Sequence, residues 1–435
     1  MKTIAYSREI PVKYECGVLV TGGGPAGIAA AVMCARQGAS VILTEQTGSL
    51  GGASVLAMVP EIMNFDDGVH FLSGGFGREL HDSLFGECAY RRVWQVTKPE
   101  PLKRWYDNTV TEAGVKLLLC TRLTDVIMSG GHITGAIFSG QEGLFAVSAK
   151  VYIDCTGSAA LCRLAGAGCD WGDEGGITMP ATLCSLWGGV DFDRKRADGA
   201  YLRQAYSDGV LSEFDTMLPG IKPNYPDAGV GGGNVGHVFA ADDRTSESIT
   251  DALLLGRRSL AEYERYYRDY VEGCESVVLL RTADFLGIRE SWRVRCVKTL
   301  TADHFSDGYV WPDEIGRYSY PVDIHPMTAD EEGMRGFAKS VNIRHGDGES
   351  YGIPYGCLLP VGFDNLLTAG RCIGSDRAMQ ASARVIPCCY LTGQAAGIAA
   401  ALALDKGCSA ADIGSSASLC GELRERLSAA GAYPV

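Results

Sequence analysis

A glycine-rich turn between two apolar runs constrains the fold of this chain more than any other feature. Residues 18–20 are typical of a buried strand, glycines stand at positions 22, 24 and 27, and residues 28–33 are typical of a helix. Gly22 permits a tight turn, Gly24 leaves space for a phosphate, and Gly27 lets the helix pack closely on the strand. The helix N-terminus presents free N–H groups and a positive dipole to that phosphate. The pattern predicts a dinucleotide-binding unit; the alternative is a glycine-rich turn without a ligand.

An acidic residue follows at the spacing that such a unit requires. Residues 40–44 form a second short apolar run, and Glu45 comes directly after it. A carboxylate about twenty residues beyond the glycines binds the 2′-hydroxyl of an adenosine ribose, and its charge repels a 2′-phosphate. The next loop contains Gly51 and Gly52, whose backbone N–H groups can lie against a ligand.

The chain up to residue 170 also contains signals for one more helix and several strands. Apolar positions predict a helix over 99–113, which Gly114 ends. Glycine turns separate a series of short alternating runs, which predict a β-meander: 115–121, 123–128, 132–138 and 144–151. The meander leads into a further core strand over 151–157.

The middle of the chain differs in character from both ends. Residues 171–345 hold most of the aromatic side chains and many charged ones, with a helix predicted over 246–271. The glycines of 231–236 match the dinucleotide spacing, but no buried strand precedes them and no apolar helix follows, so we reject a second nucleotide site. Near the C-terminus, 365–371 is typical of a strand and turn, followed by a small-residue helix through residue 401. We therefore predict a discontinuous cofactor domain, 1–170 and 346–435, and an inserted substrate domain, 171–345.

Composition excludes several classes of protein. The formal net charge of −13 argues against nucleic acid as a main partner, because phosphate binding needs a basic surface. Sixteen cysteines include no C-x-x-C pair, so we predict no metal site. Reduced thiols and a polar N-terminus without an apolar signal core predict a cytoplasmic protein. We also predict no membrane segment, because no run approaches the length that spans a bilayer.

Seven segments together resemble a known family: 19–27, 50–53, 152–157, 289–291, 321–325, 353–355 and 365–400. In this order they resemble the FAD-dependent oxidoreductases with the glutathione-reductase-type cofactor fold. They are most similar to a bacterial family akin to the fumarate reductase and succinate dehydrogenase flavoproteins. The resemblance implies FAD as cofactor. It also implies an α/β fold in which a Rossmann-like FAD-binding domain, a parallel sheet plus β-meander, carries an inserted α+β substrate domain.

The resemblance also implies where FAD binds. The pyrophosphate would lie on the glycine turn, the adenosine ribose on the acid after the second strand, and the flavin pyrimidine ring at the N-terminus of a helix beginning near Ser382. That helix terminus would raise the flavin potential by stabilising the anionic reduced ring. The implied cofactor-binding residues are Gly22, Gly24, Pro25, Ala26, Gly27, Glu45, Gln46, Gly51, Gly52, Ala53, Leu123, Thr156, Gly157, Gly370, Arg371, Ala383, Arg384 and Val385.

Two positions depart from the family pattern. Arg371 stands where many relatives carry an Asp after the glycine, so that contact would be a cation meeting phosphate directly. Asp376–Arg377 stands where relatives often carry a Thr-His pair, so a catalytic histidine cannot be carried over to that position.

The candidate chemistry is redox chemistry of a small molecule. No cysteine pair follows the Gly51–Gly52 loop, which argues against a thiol–disulfide relay, and direct reduction by NAD(P)H would usually require a second nucleotide unit. We therefore expect hydride transfer between a small polar organic substrate and flavin N5, with an external carrier or oxygen as the second electron partner. Alternatives are a fumarate-reductase-like reduction of a C=C bond, with an arginine as proton donor, and a flavin-binding accessory protein without turnover.

Three side chains are catalytic candidates, each with a structural alternative. His325 is the candidate acid/base, since an imidazole titrates near neutral pH; the alternative is a histidine that fixes a loop. Arg289 would clamp a carboxylate or sugar hydroxyl, or else form a salt bridge with Glu290. Arg384, at the predicted helix N-terminus, would orient the substrate or offset charge on the reduced flavin. Buried packing is the default expectation for Cys372, Cys388 and Cys389, with covalent flavin attachment as the alternative.

Overall fold

A computed structural model describes residues 2–86, 91–239 and 241–432. The strands are β1 (Val12–Thr21), β2 (Val41–Thr44), β3 (Glu61–Ile62), β4 (Gln95–Val96), β5 (Lys116–Leu118), β6 (Arg122–Ser129), β7 (His132–Gly140), β8 (Gly143–Asp154), β9 (Cys169–Asp170), β10 (Ser185–Gly188), β11 (Pro219–Tyr225), β12 (Val230–Val235), β13 (Val278–Thr282), β14 (Arg293–Val294), β15 (Glu314–Tyr318), β16 (Tyr351–Pro354) and β17 (Leu366–Thr368). The α-helices are α1 (Pro25–Arg36), α2 (Phe76–Phe85), α3 (Pro99–Glu112), α4 (Ala160–Leu164), α5 (Leu202–Ser207), α6 (Ser246–Tyr270), α7 (Ala302–Asp307), α8 (Glu331–Ser340), α9 (Arg377–Ala383), α10 (Ile386–Lys406), α11 (Ala410–Ser415) and α12 (Ala417–Ala429).

A seven-stranded sheet carries the predicted strand–helix–strand unit. Its order is β5–β2–β1–β8–β7–β6, with β17 beside β8. The pairs β5–β2, β2–β1, β1–β8 and β8–β17 are parallel, and the pairs β8–β7 and β7–β6 are antiparallel. The mixed α/β fold with a Rossmann-like parallel core is therefore confirmed.

The β-meander is smaller than the sequence predicted. Three strands, β6 to β8, form it, whereas the first predicted run becomes β5 and joins the parallel sheet beside β2. The predicted core strand over 151–157 is also not a separate element. It is the second half of the long strand β8, which pairs with β7 through Gly143–Val147 and with β17 through Tyr152–Asp154.

Helix α1 packs on helix α10 at very short range. A Cβ built on Gly393 would lie 2.1 Å from the carbonyl oxygen of Ala26, and one on Gly397 would lie 2.1 Å from that of Ala30. Only hydrogen fits between the two backbones at these points. By length and composition α10 could cross a membrane, but its apolar window is wholly buried in this fold, as in the core helix of a globular protein.

A second, antiparallel sheet forms the inserted part of the chain, in the order β11–β12–β10–β13. Its core contains Trp187, Leu260 and Tyr267, and helix α6 packs on it after a capping box at Thr245. The glycines of 231–233 lie within strand β12, where a Cβ on Gly233 would lie 2.5 Å from the Trp187 indole nitrogen. These glycines permit close sheet packing, which agrees with the rejection of a second dinucleotide turn.

The division of the chain into domains at residues 171 and 345 stays a prediction. The buried residues of the second core run from Ala181 to Leu286. Leu300, Phe305 and Tyr320 instead pack in the first core, with α1 and α10. The last part of the predicted inserted segment therefore shares the first hydrophobic core, that of the predicted cofactor domain.

The α1–α10 contact predicts a large loss of stability for Gly397→Ala. The new methyl group would meet a backbone carbonyl that cannot move aside, and overpacking of this kind costs about 3 kcal/mol. Gly421→Ala is the matched control, because it lies in helix α12 with no atom within 4 Å of its Cβ position and should gain up to about 1 kcal/mol. Thermal or urea unfolding of both variants measures the difference. Equal stability of the two variants would contradict the close packing.

Candidate functional site

The turn after β1 contains three glycines. Two of them have no room for a side chain, and the third has open space where a side chain would begin. Gly22 has a φ of +101°, and a Cβ there would lie 2.5 Å from the Cys155 carbonyl oxygen. A Cβ on Gly27 would lie 1.8 Å from the carbonyl oxygen of Gly22. A Cβ on Gly24 meets no atom within 4 Å, so the surface at this glycine is free to receive a ligand.

Free backbone donors surround the open glycine. Within the described ranges, the N–H groups of Gly24, Ala26 and Gly27 have no protein acceptor, and Pro25 carries none. Four N–H groups at the start of a helix lack intrahelical partners, and they attract anions. This turn therefore has the donor set that a pyrophosphate requires.

Glu45 and the Gly51–Gly52 loop lie directly against this turn. The buried Glu45 carboxylate accepts hydrogen bonds from the N–H groups of Gly23 (2.8 Å) and Thr47 (2.9 Å), while Gln46 is exposed. Gly51 donates its N–H to the Gly23 carbonyl at 2.8 Å. A Cβ on Gly52 would lie 3.1 Å from the Cα of Gly24, and Ala53 follows on the surface in a short 3₁₀ turn.

The segments after β8 and β17 complete this edge of the sheet. Asp154 accepts hydrogen bonds from the N–H and hydroxyl of Thr156, which fixes the turn before Gly157. Gly370 lies beside the start of α1, where its Cβ would be 2.9 Å from the Cβ of Ala26. Leu123, at the start of β6, packs partly buried beneath the meander.

Arg371 contacts backbone carbonyls in this structure. Its Nε donates to the Gly157 carbonyl at 2.9 Å, and its Nη1 donates to the carbonyl of Ile288. Burial lowers the pKa of this guanidinium, and Asp243 opposes that shift. Arg371 thus ties the turn after β8 to the segment that precedes Arg289.

The predicted C-terminal helix is two helices. Helix α9 ends at Ala383, Arg384 and Val385 separate the helices, and α10 begins at Ile386. Pro387 lacks the N–H that would bond to Ala383, and its ring clashes with that carbonyl, so a continuous helix is excluded. The prediction of a helix start near Ser382 was therefore wrong. The N-terminus of α9 is capped by the Asp376 side chain, whereas that of α10 has no side-chain cap among the described residues.

His325, Asp323 and Arg384 form a buried cluster between the two cores. His325 Nε2 lies 3.3 Å from Asp323 Oδ2, and Arg384 Nη2 donates to the same oxygen at 3.0 Å. The Tyr320 hydroxyl also donates to that oxygen, at 3.2 Å. The structure thus brings together His325 and Arg384, two of the three predicted catalytic side chains.

Sequence reasoning missed the partner on the other side of His325. His237 Nε2 lies 2.8 Å from His325 Nδ1, and Asp215 Oδ2 lies 2.9 Å from His237 Nδ1. His237 directly follows the glycine run of 231–236, which we tested only as a nucleotide turn. That position was the one available signal; nothing in the sequence around Asp215 indicates its role.

Burial and charge set the protonation of this cluster. Burial lowers the pKa of His325 well below its ordinary value, with Arg289 adding to the shift, and burial also lowers the pKa of His237. Burial alone would raise the pKa of the Asp323 carboxyl, but the positive charges of Arg384 and Arg289 act against burial, and that pKa lies below its ordinary value. The histidines are therefore neutral and the aspartates ionised at neutral pH.

Arg289 does not pair with Glu290. The Arg289 guanidinium donates to the Pro180 carbonyl at 2.8 Å and to Asn234 Oδ1 at 3.3 Å, and burial together with Arg384 lowers its pKa to about 10. The Glu290 carboxylate instead binds Arg293 at 2.8 Å and Arg377 at 3.0 Å. The alternative of an Arg289–Glu290 salt bridge was therefore wrong.

Two buried polar atoms of this region have no partner within the part of the chain that the structure describes. They are Gln380 Oε1, an acceptor, and Arg384 Nε, a donor, one helical turn apart at the end of α9. A buried polar group without a partner is costly, so a ligand with both a donor and an acceptor fits this position. Together with the open surface at Gly24, this arrangement fits a flavin dinucleotide.

The cysteines near this region are buried. Burial raises the pKa of Cys372 and of Cys389 to about 12, and the pKa of Cys388 well above its ordinary value. Because the thiolate is the reactive form, these protonated thiols favour packing over covalent attachment.

A family model matches most of this chain, and curated relatives match parts of it. A family model for FAD dependent oxidoreductases matches residues 17–427. Digeranylgeranylglycerophospholipid reductase 1 of Methanopyrus kandleri is 26% identical over 157 residues, 33% of this chain and 40% of that protein, so the chain spans less than half of that relative. Thiamine thiazole synthase of Pyrococcus horikoshii is 23% identical over 202 residues, 39% of this chain and 73% of that protein. A solved geranylgeranyl bacteriochlorophyll reductase-like protein from Thermoplasma acidophilum aligns over 96% of this chain and 84% of its own, at 13% identity and a TM-score of 0.46.

Proposed function

We propose, from the premise that this chain belongs to the FAD-dependent oxidoreductase family, that it transfers a hydride between a small polar organic substrate and flavin N5. The chain is an enzyme of that family and uses FAD. The observation that carries the proposal is the buried, neutral His325, held between Asp323 and His237, with Arg289 acting on it and Arg384 bound to Asp323. A base in this position takes the proton that accompanies the hydride.

The glycine turn, Glu45 and the start of α10 would hold the cofactor, in a fold of the glutathione-reductase type. The free N–H groups at Gly24, Ala26 and Gly27 would bind the pyrophosphate, and Glu45 the adenosine ribose. The N-terminus of α10 would face the flavin pyrimidine ring. When bound, FAD supplies the two-electron acceptor; the protein supplies orientation and electrostatics.

His325 and the two arginines would have separate roles toward the substrate. His325 would take the substrate proton at Nε2, where Asp323 at 3.3 Å stabilises the resulting imidazolium. Arg384, fixed by Asp323, would orient a substrate carboxylate or hydroxyl group, and Arg289 adds a second buried positive charge. Burial in a cluster that excludes water strengthens each of these interactions.

One observation favours reduction of an activated C=C bond as a second candidate function. Burial and Arg384 lower the pKa of Arg289 to about 10, which brings this guanidinium closer to the range of a proton donor. In that reaction Arg289 would supply the proton and His325 would hold the substrate. No observation favours the accessory-protein alternative, because the family consists of oxidoreductases.

Gly24→Ala should weaken FAD binding without unfolding the protein. A methyl group here meets no protein atom and the backbone is extended (φ −77°), so only a bound pyrophosphate would be obstructed. We expect at least a tenfold rise in the dissociation constant, about 1.4 kcal/mol. Quenching of flavin fluorescence on titration with apoprotein measures it. Gly421→Ala, which also meets no atom, should bind FAD normally; unchanged affinity of Gly24→Ala would remove the turn from the cofactor site.

His325→Ala and Arg384→Ala should keep FAD but slow flavin reduction about 100-fold or more, the usual loss for a general base. Anaerobic mixing with a panel of metabolites, followed by flavin absorbance, identifies the fastest reductant and measures the rates. Because burial lowers the pKa of His325 well below its ordinary value, the wild-type rate should stay constant as the pH falls through that ordinary value and decrease only when the imidazole becomes protonated. His132→Ala, at the surface, is the control. Unchanged rates in His325→Ala would exclude it as the base.

A further inference from the structure

Four side chains from three parts of the chain form one line of contacts. Asp215 Oδ2 lies 2.9 Å from His237 Nδ1, His237 Nε2 lies 2.8 Å from His325 Nδ1, and His325 Nε2 lies 3.3 Å from Asp323 Oδ2. Asp215 and His237 border the second sheet, and His325 follows the segment that packs in the first core. Phe337 stacks on the His325 ring at 4.5 Å, which excludes water from one face. All four polar side chains are buried.

Counting protons along this line fixes the tautomers. A neutral imidazole carries one N–H, and an ionised carboxylate only accepts. Asp215 accepts at 2.9 Å, so the proton of His237 is on Nδ1 and its Nε2 is an acceptor. The 2.8 Å contact then requires a proton on His325 Nδ1, which leaves His325 Nε2 without one.

The opposite arrangement is less favourable. A proton on His325 Nε2 would make its Nδ1 an acceptor, so that His237 would carry its proton on Nε2 and turn a bare Nδ1 toward the Asp215 carboxylate at 2.9 Å. In the Nδ1–H tautomer of His325, the nitrogen without a proton is Nε2, which has the longer carboxylate contact, 3.3 Å from Asp323. Asp323 Oδ2 does not need that proton, because Arg384 and Tyr320 already donate to it.

We propose that His237 and Asp215 are positioning residues that hold His325 in the Nδ1–H tautomer, so that Nε2 is free to accept the substrate proton. The inference rests on the proposed function, in which His325 is the base. In the balanced step the substrate loses one hydride, to the flavin, and one proton, which forms an N–H bond at His325 Nε2. The imidazolium then has a carboxylate on the Nε2 side and the His237–Asp215 pair on the other.

The charged and titratable groups around the pair come from several elements. Arg289, Asp323 and His237 act on His325, and Asp215 acts on His237 together with the more distant Arg289 and Asp323. Arg384 and Tyr320 contact Asp323. Tyr263, on α6, lies near Asp215, and burial keeps its hydroxyl protonated by raising its pKa. Burial and the positive charge of Arg289 disfavour an imidazolium at either position, which keeps both rings neutral before turnover.

Nitrogen NMR of the holoenzyme labelled with ¹⁵N-histidine tests the tautomer without any substrate. His325→Asn assigns the His325 signals by difference among the seven histidines. In the wild type we expect a protonated Nδ1 and an unprotonated Nε2. In His237→Leu the acceptor is lost, so the proton should move to Nε2 and bond to Asp323. In His237→Gln the amide oxygen replaces the acceptor, so the wild-type tautomer should return.

Flavin reduction provides the second readout. His237→Leu should slow it at least tenfold, and His237→Gln should recover most of the rate; FAD content and melting temperature check folding. A wild-type His325 protonated on Nε2, or a tautomer that His237→Leu leaves unchanged, would overturn the inference. The proposed function fails separately, when His325→Ala keeps the wild-type rate, so the two failures are distinguishable.

Discussion

The contact between α1 and α10 is the constraint on which the rest of this structure depends. The two helices approach until the carbonyl oxygens of Ala26 and Ala30 lie where side chains on Gly393 and Gly397 would begin. Because neither backbone can shift, the N-terminus of α1 is fixed relative to that of α10. At the glycine turn, the first presents amides that have no acceptor among the described residues, and the second follows Arg384. One packing contact therefore sets the distance between the glycine turn, the proposed phosphate site, and the buried charged cluster.

The charged cluster is stabilised by close contacts between its carboxylates and their partners. Taking an ion out of water costs several kcal/mol, and only close partners offset that cost. Asp323 receives three contacts, from His325, Arg384 and Tyr320, and Glu290 receives two arginines. The side chains come from both cores, so the cluster forms only when the second sheet docks on the first core. The proposed base, His325, is thereby assembled in a buried position.

Local patterns predicted the parts of the site that depend on neighbouring residues. The turn at Gly22 and Gly27 and the acid at Glu45 follow from backbone sterics and short spacing, and the structure places them together. Pro387 also predicts a break in the C-terminal helix, yet the small residues around it suggested one continuous helix. His237 and Asp215 could not be predicted, because His237 meets His325 across 88 residues of chain. No local periodicity encodes a contact of that length.

The roles of the individual arginines could not be predicted from the sequence either. Guanidinium groups look alike in sequence, and their roles depend on partners that only the fold provides. Arg377 is held by Glu290, and Arg371 by two carbonyls, so neither charge is directed to the cluster around His325. Arg384 differs, because it binds Asp323 with one nitrogen while its Nε is buried without a partner among the described residues. A donor that the protein itself leaves unsatisfied, beside a neutral histidine, is what a site for a polar ligand requires.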